Sequence, residues 1–257
     1  MSTMKKLINT GAAVCAVVCL VVTFLAAGFA VCAATPLPTR ALSQAYATDG
    51  ISPYTHDELV KAAVAIYDYS FANHNADALN ATMDELVAAA QADGRAPSNA
   101  QGEEYRLDGA AISHLDDCYA LASAVKVPLA IIAALAIAAA AHVGVRTGRK
   151  NLGRVLACAG GLTIAAFLAF GAAALIDFDA FFSLFHGLFF TQGTWTFWYR
   201  SLLICSLPEG FWMGMGILWF ATSLLLSILS CCVGVHLIRK RGARPQTTDI
   251  QSTRFNR

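Results

Sequence analysis

Six histidines are the side chains best suited to carry protons near neutral pH, and their neighbours sort them. His186 is flanked by Phe185 and Gly187 in a stretch that is otherwise almost purely apolar. An ionisable group near lipid is costly to keep and is usually retained for a function. His114 stands in Ile112-Ser113-His114-Leu115-Asp116-Asp117-Cys118. On a helix Asp117, at i+3, faces the same way as His114. A carboxylate there fixes the ring's tautomer and raises its basicity. His114 and His186 are therefore a candidate acid–base pair. The plainer accounts are an interfacial His bonded to a backbone carbonyl and an ordinary surface His–Asp pair. His56, beside Asp57, and His74, between Asn73 and Asn75, read as solvated surface residues, and His142 and His236 fall near helix ends.

Other chemistries lack their patterns. There is no H-E-x-x-H for a zinc site and no G-x-S-x-G for a serine hydrolase. A paired-carboxylate glycosidase needs two placed acids. Near His186 the acids are Asp177 and Asp179, which read as helix-start residues, and Glu209. No cofactor, resident metal or nucleic-acid partner is expected.

The elements that position the histidines follow from composition. Hydrophobic residues make up 57% of the chain and charged residues 14%, against roughly 25% charged in an average soluble protein. Four stretches reach the ~20 apolar residues that a bilayer crossing takes: Leu7–Ala33, Val125–Val145, Leu152–Ile176 and Phe211–Ile238. Backbone in lipid must satisfy its own hydrogen bonds, so each is expected to be a helix. Lys5 and Lys6 precede the first span. Arg146, Arg149, Lys150 and Arg154 join the second to the third, and Arg239, Lys240, Arg241 and Arg244 follow the fourth. The positive-inside rule puts these three sites in the cytoplasm and both intervening segments outside. Residues 1–34 then form an uncleaved signal anchor rather than a signal peptide, 35–122 an extracytoplasmic domain, and 123–176 a hairpin of two spans. Residues 177–210 are a second external segment, 211–238 the last span and 239–257 a polar tail. The expected class is an all-α integral membrane protein of the cytoplasmic membrane, with both termini inside.

The first external segment reads as a small helical cap. Thr55-His56-Asp57-Glu58 is a capping box opening one helix. A second spans Asp77 to Ala92. A third starts near Asp108 or Gly109 and continues into the second span, with Pro128 a possible kink. The second segment carries Phe181, Phe182, Phe185, Phe189, Phe190, Trp195, Phe197, Trp198 and Tyr199. Such density belongs at a membrane interface, so the segment reads as a short interfacial or re-entrant helix, a turn at Gln192-Gly193 and a return to the last span. Of eight cysteines only Cys118 and Cys205 reach the outer region, where an oxidising compartment permits a disulfide between them. One tension stands out. His114 precedes Lys126 by twelve residues, roughly 18 Å of helix, whereas His186 belongs near the interface. The pair meets only if the second span sits deep or the aromatic segment rises.

The run Phe182, Phe185-His186, Phe189-Phe190, Gly193, Trp195, Phe197, Leu202, Ile204, Pro208-Glu209, Phe211-Trp212 resembles a bacterial membrane family that includes the lipoprotein intramolecular transacylases. His114-Leu115 followed by Asp117 resembles that family's second signature. Cys118, Ala111 and Arg200 depart from its pattern. The resemblance implies an enzyme that moves the sn-2 acyl chain of a diacylglyceryl lipoprotein onto the α-amine of its N-terminal Cys, giving a lyso-form lipoprotein. Nucleophile and ester then belong to one substrate, so the enzyme supplies proximity and proton transfer. On this basis His186 is expected to take the amine proton, and His186 or His114 to protonate the departing glycerol oxygen. Asp117 orients His114. Phe185, Phe189, Phe190, Trp195 and Phe197 cover the acyl chains among membrane lipids. Gln192, Thr194 or backbone near Gly193 stabilise the oxyanion. A His-dependent acyl hydrolase and a non-catalytic docking protein are the alternatives, and oligomeric state is left open.

Overall fold

A computed structural model describes residues 3–239, so the polar tail, apart from Arg239, lies outside the described residues. These residues form helices and no strand. Four helices are long and apolar enough to cross a membrane: α1 (Thr3–Ala33), α5 (Gly109–Thr147), α6 (Arg149–Ile176) and α9 (Glu209–Arg239). Each contains one of the four stretches picked out by hydropathy. Between α1 and α5 lie α2 (Leu37–Tyr46), α3 (His56–Tyr67) and α4 (Ala76–Ala92). Between α6 and α9 lie α7 (Phe178–Gly187) and α8 (Leu202–Ser206).

Close backbone approach holds α6 to α9. A Cβ on Gly153 would sit 2.6 Å from Gly234 O, and one on Gly234 would sit 2.6 Å from Gly153 O. Gly160 faces Ser227 O one heptad along, and Ser230 Oγ donates to Leu156 O at 2.9 Å between them. Lipid gives spanning helices no hydrophobic drive to associate, so such contacts carry the packing. α1 crosses against α9 through Ser223 Oγ donating to Phe24 O (3.0 Å) and Trp219 Nε1 donating to Leu25 O (2.8 Å). At the other end of the bundle His142 and Asn9 join α5 to α1 at 3.2 Å. Lys5, Lys6, Arg146, Arg149, Lys150, Arg154 and Arg239 all fall at that end by the path of the chain.

The cap occupies the opposite end. Thr55 closes the capping box as its sequence predicts: its Oγ1 accepts from Glu58 N, and Glu58 Oε2 accepts from Thr55 N at 2.7 Å. Arg95 grips the same carboxylate with two nitrogens at 2.8 and 2.9 Å. Burial works against the Glu58 charge, but the bonds from Arg95 and Thr55 outweigh it and hold the carboxyl below its ordinary range. Thr55→Ala is expected to cost about 1 kcal/mol and to lower thermal unfolding of the purified protein by about 2–4 °C. α4 begins at Ala76, with Asn75 as its cap, and α5 begins at Gly109, with Asp108 as its cap. α5 continues through Pro128 as one helix.

The cap is completed by the second segment. Leu202, Leu203, Cys205, Leu207 and Phe211 are buried in one core with Tyr54, Leu59, Ile66, Leu86 and Leu115. Leu202 N donates to Glu103 O at 2.8 Å and Thr48 N donates to Cys205 O at 2.9 Å. Residues 35–122 and 202–211 therefore share a core.

Candidate active site

α5 carries two buried turns into the cap core, with Ala111 and Leu115 facing it. His114 lies on the same stretch, eleven residues before Val125 and so outside the spanning segment. α7 starts where Asp177 caps the end of α6, its Oδ1 accepting from Ala180 N at 2.9 Å. It then packs along the cap end of α9, with Phe182 6.2 Å from Trp212 and Phe185 6.2 Å from Trp219, centroid to centroid. Gly193, at φ +90°, reverses the chain after α7. That left-handed conformation is open to glycine at no steric cost. The returning strand of coil brings Trp195 and Phe197 back over the helix.

The two histidines meet. Their ring centroids are 6.2 Å apart and tilted by 34°. Both are buried, His114 at 9% and His186 at 8% exposure. The twelve-residue lift of His114 is answered by the aromatic segment, whose Phe190 and Phe197 lie 4.9 and 5.7 Å from the His114 ring. Phe182 and Trp195 lie 3.9 and 4.9 Å from that of His186. Phe185 also touches His186, while Phe189 is half exposed and reaches the pair only through Phe185 and Phe190.

Hydrogen bonding assigns the tautomer of His186. Its Nδ1 lies 2.9 Å from Phe182 O. A carbonyl only accepts, so Nδ1 carries the proton and Nε2 holds the lone pair. His114 is bonded differently from the sequence expectation. Asp117 is exposed and makes no hydrogen bond to the ring. The group in contact is Cys118, whose Sγ is 3.7 Å from His114 Nε2. At ~100° per residue, i+4 is rotated about 40° from His114 and i+3 about 60° the other way, so small differences in side-chain direction choose between them. His114 Nδ1 is buried without a partner. Desolvation, and next the neighbouring His186, push the His114 pKa down to about 4, against a smaller opposing pull from Asp117. Desolvation likewise lowers His186, opposed by its bond to Phe182. Both rings are thus held neutral at pH 7.

The remaining expectations fall as follows. Gln192 and Thr194 are exposed on the turn, and the Thr194 hydroxyl is used on Thr191 O at 2.9 Å. Cys118 and Cys205 are separate free thiols, with Cys205 buried in the cap core. His74 is less solvated than its Asn-flanked position suggests. It stacks on Tyr119 at 3.9 Å and on Tyr69 at 4.4 Å, with Nδ1 donating to Tyr69 O at 3.0 Å. His56 is tied down by Gln44 O at 2.9 Å. Cys118 and the ring nitrogen of Trp195 are the site groups that sequence reasoning passed over.

Four apolar spans, with a buried histidine pair beneath an aromatic cover at one end, define a multi-pass membrane protein with a candidate acid–base site. The family model described as "Lipoprotein intramolecular transacylase Lit" matches residues 14–212. The chain belongs to the lipoprotein intramolecular transacylase family. The solved structure of the membrane-integral transacylase Lit of Bacillus cereus is similar at TM-score 0.66 and 15% identity, over 90% of this chain and 96% of that one. Two structures of its single-histidine variants match at TM-scores 0.62 (histidine to arginine) and 0.63 (histidine to alanine). The first is 16% identical over 91% of this chain and 94% of its own; the second is 15% identical over 91% and 96%. No curated protein sequence matches the chain.

Proposed function

We propose that this transacylase moves the sn-2 acyl chain of a diacylglyceryl lipoprotein onto the α-amine of the lipoprotein's N-terminal Cys, on the outer face of the bacterial cytoplasmic membrane. The observation that carries the reading is the buried pair His114–His186 at the bundle end opposite the basic residues. The positive-inside rule makes that basic end cytoplasmic, so the pair faces outward with both termini inside.

In this reading the amine attacks the sn-2 carbonyl, and His186 Nε2 accepts the ammonium proton from the tetrahedral intermediate. The same nitrogen returns that proton to the glycerol oxygen as the ester bond breaks. His114 works beside it as a neutral ring. Phe185, Phe190, Trp195 and Phe197 cover the acyl chain and keep water from the intermediate, with Phe189 extending the cover toward lipid. Asp117 acts on His114 through its charge. The chain supplies no nucleophile because the substrate contains its own, and holding amine and ester together replaces one.

The test is mass spectrometry of the N-terminal lipopeptide of a reporter lipoprotein, in a host lacking its own N-acylation step. Expression is expected to leave total mass unchanged and to yield an N-acylated Cys bearing a monoacylglyceryl group. Loss of one acyl chain would make the protein a hydrolase. An unmodified lipopeptide beside stably inserted protein would overturn the reading.

The pH dependence follows from burial. Below the α-amine pKa of about 7.7–8.0, each pH unit removes about a tenfold share of reactive amine. A solvated histidine base would add a second tenfold loss per unit below about 6.5. Depressed pKa values keep both rings neutral as the pH falls past 6.5. The break from slope one to slope two is therefore expected below pH 6.5 rather than at it. A break to slope two near 6.5 would show a solvated base.

A further inference from the structure

Two buried hydrogen-bonding nitrogens beside the base have no partner of their own. His114 Nδ1 and Trp195 Nε1 are both shielded from solvent and unbonded. Trp195 is 8% exposed and His114 9%. Leaving a buried polar group unpaired is costly, and folded chains pair the great majority. Here two such atoms belong to rings that both contact His186, at 4.9 and 6.2 Å. An indole nitrogen is a donor and never an acceptor. For His114 the neighbour decides. Burial, and next the charge of Asp117, push the Cys118 thiol up to about 12, so it keeps its proton. With the thiol protonated, the contact at 3.7 Å from Sγ to Nε2 has a tautomer in which the S–H donates to Nε2 and the ring proton sits on Nδ1. In that tautomer the site holds one base with a free lone pair, His186, and two unfilled N–H donors that stay neutral.

We propose that Trp195 Nε1–H and His114 Nδ1–H are the oxyanion donors of the acyl transfer, and that Cys118 positions His114 by donating its S–H to Nε2. This rests on the acyl-transfer reading above. The amine lone pair forms the new C–N bond while the sn-2 carbonyl π pair moves onto oxygen. That oxygen accepts from the indole and from the imidazole. His186 Nε2 takes the ammonium proton. As the carbonyl re-forms, the C–O bond to glycerol breaks and its oxygen receives the proton from His186. The products are an amide and a free sn-2 hydroxyl, with no water consumed. Neither oxyanion donor changes protonation state, which suits a donor aimed at charge that exists only in the transition state. A neutral imidazole serves here better than an imidazolium, which would cost far more to bury.

The test uses the full chain in detergent or bilayer and a synthetic diacylglyceryl lipopeptide, with N-acyl product read by mass spectrometry. Trp195→Phe keeps the ring and removes the N–H. Its kcat is expected to fall about 10²–10³-fold with KM within about threefold. A lipopeptide with a phosphonate in place of the sn-2 ester is expected to bind wild type more tightly than it binds Trp195→Phe, while the ester substrate binds both alike. Loss of packing alone would weaken both ligands together. Cys118→Ala is expected to lower kcat, and Cys118→Ser, which restores a donor, to recover it. If wild type makes no N-acyl product, the acyl-transfer reading fails and this inference with it. If wild type is active while Trp195→Phe keeps its kcat or the phosphonate preference, the oxyanion assignment alone is wrong. Equal activity of the Cys118 variants would remove the thiol's part. Should Trp195→Phe not fold, the Cys118 pair and the phosphonate affinity of wild type decide.

Discussion

Replacing His186 by alanine is expected to abolish acyl transfer, lowering the rate by about 10²–10⁴-fold, the usual worth of a placed acid–base group. No second group can stand in. His114, the nearest histidine, has its Nε2 engaged by Cys118 and its Nδ1 buried. Asp116 and Asp117 are both exposed on α5, and Asp116 already accepts from the Tyr69 hydroxyl at 2.6 Å. The fold is expected to survive, because the only hydrogen bond lost is that to Phe182 O and the flanking rings of Phe182 and Trp195 can close on the space. His186→Gln is expected to be equally inactive. A docking protein would tolerate that change, whereas a proton carrier would not. The assay is N-acyl lipopeptide formed per unit of folded protein. Full activity of a well-folded His186→Ala would end the mechanism proposed above.

The largest expected effect on the fold comes from the seam between α6 and α9. A side chain on Gly153 would meet Gly234 O at 2.6 Å and Ile238 Cγ1 at 2.9 Å, and one on Gly160 would meet Cys231 Sγ at 2.6 Å. Backbone atoms cannot rotate out of the way, so the helices must separate. Overpacking of this kind costs about 1–3 kcal/mol per site, occasionally more, and separation also forfeits the Ser230–Leu156 bond. The double variant Gly153→Val with Gly160→Val is expected to lower thermal unfolding by about 5 °C or more, or to yield no monodisperse protein. Gly161→Val and Gly171→Val, whose new side chains meet nothing within 4 Å, are the controls and are expected to behave as wild type. Equal stability of the double variant and both controls would mean that α6 and α9 do not pack through these glycines.

Much of this was legible in the residues. The spans follow from hydropathy because helix is the cheap solution in lipid. The starts of α3 and α5 follow from Thr55 and Asp108, because their caps are local bonds. α2 was not legible: its ten residues gain their place from packing of Leu42 and Tyr46 on Gly214 and Gly210 of α9, far along the chain. The type of both site histidines was visible, but their meeting was not, since it turns on how far the aromatic segment rises. Asp117 and Cys118 are one residue apart, and spacing alone favours neither as the neighbour of His114. Trp195 was hidden differently: in a run this rich in aromatics an indole reads as cover, and only the unpaired nitrogen marks it as a donor.

The shared core of the cap orders the enzyme's biogenesis. Its last pieces, Leu202 to Phe211, follow the third spanning helix along the chain and can join the cap only once that helix has been synthesised. Until then the ribosome-bound chain holds His114 without its histidine neighbour and leaves Tyr54, Leu59 and Leu86 against an unfilled surface. Under the proposed mechanism, a chain ending before α7 lacks His186 and cannot transfer an acyl group, and its exposed apolar surface makes it prone to aggregate. On the same mechanism, catalytic competence arrives in the same step as cap stability, so a folded cap also completes the proposed site.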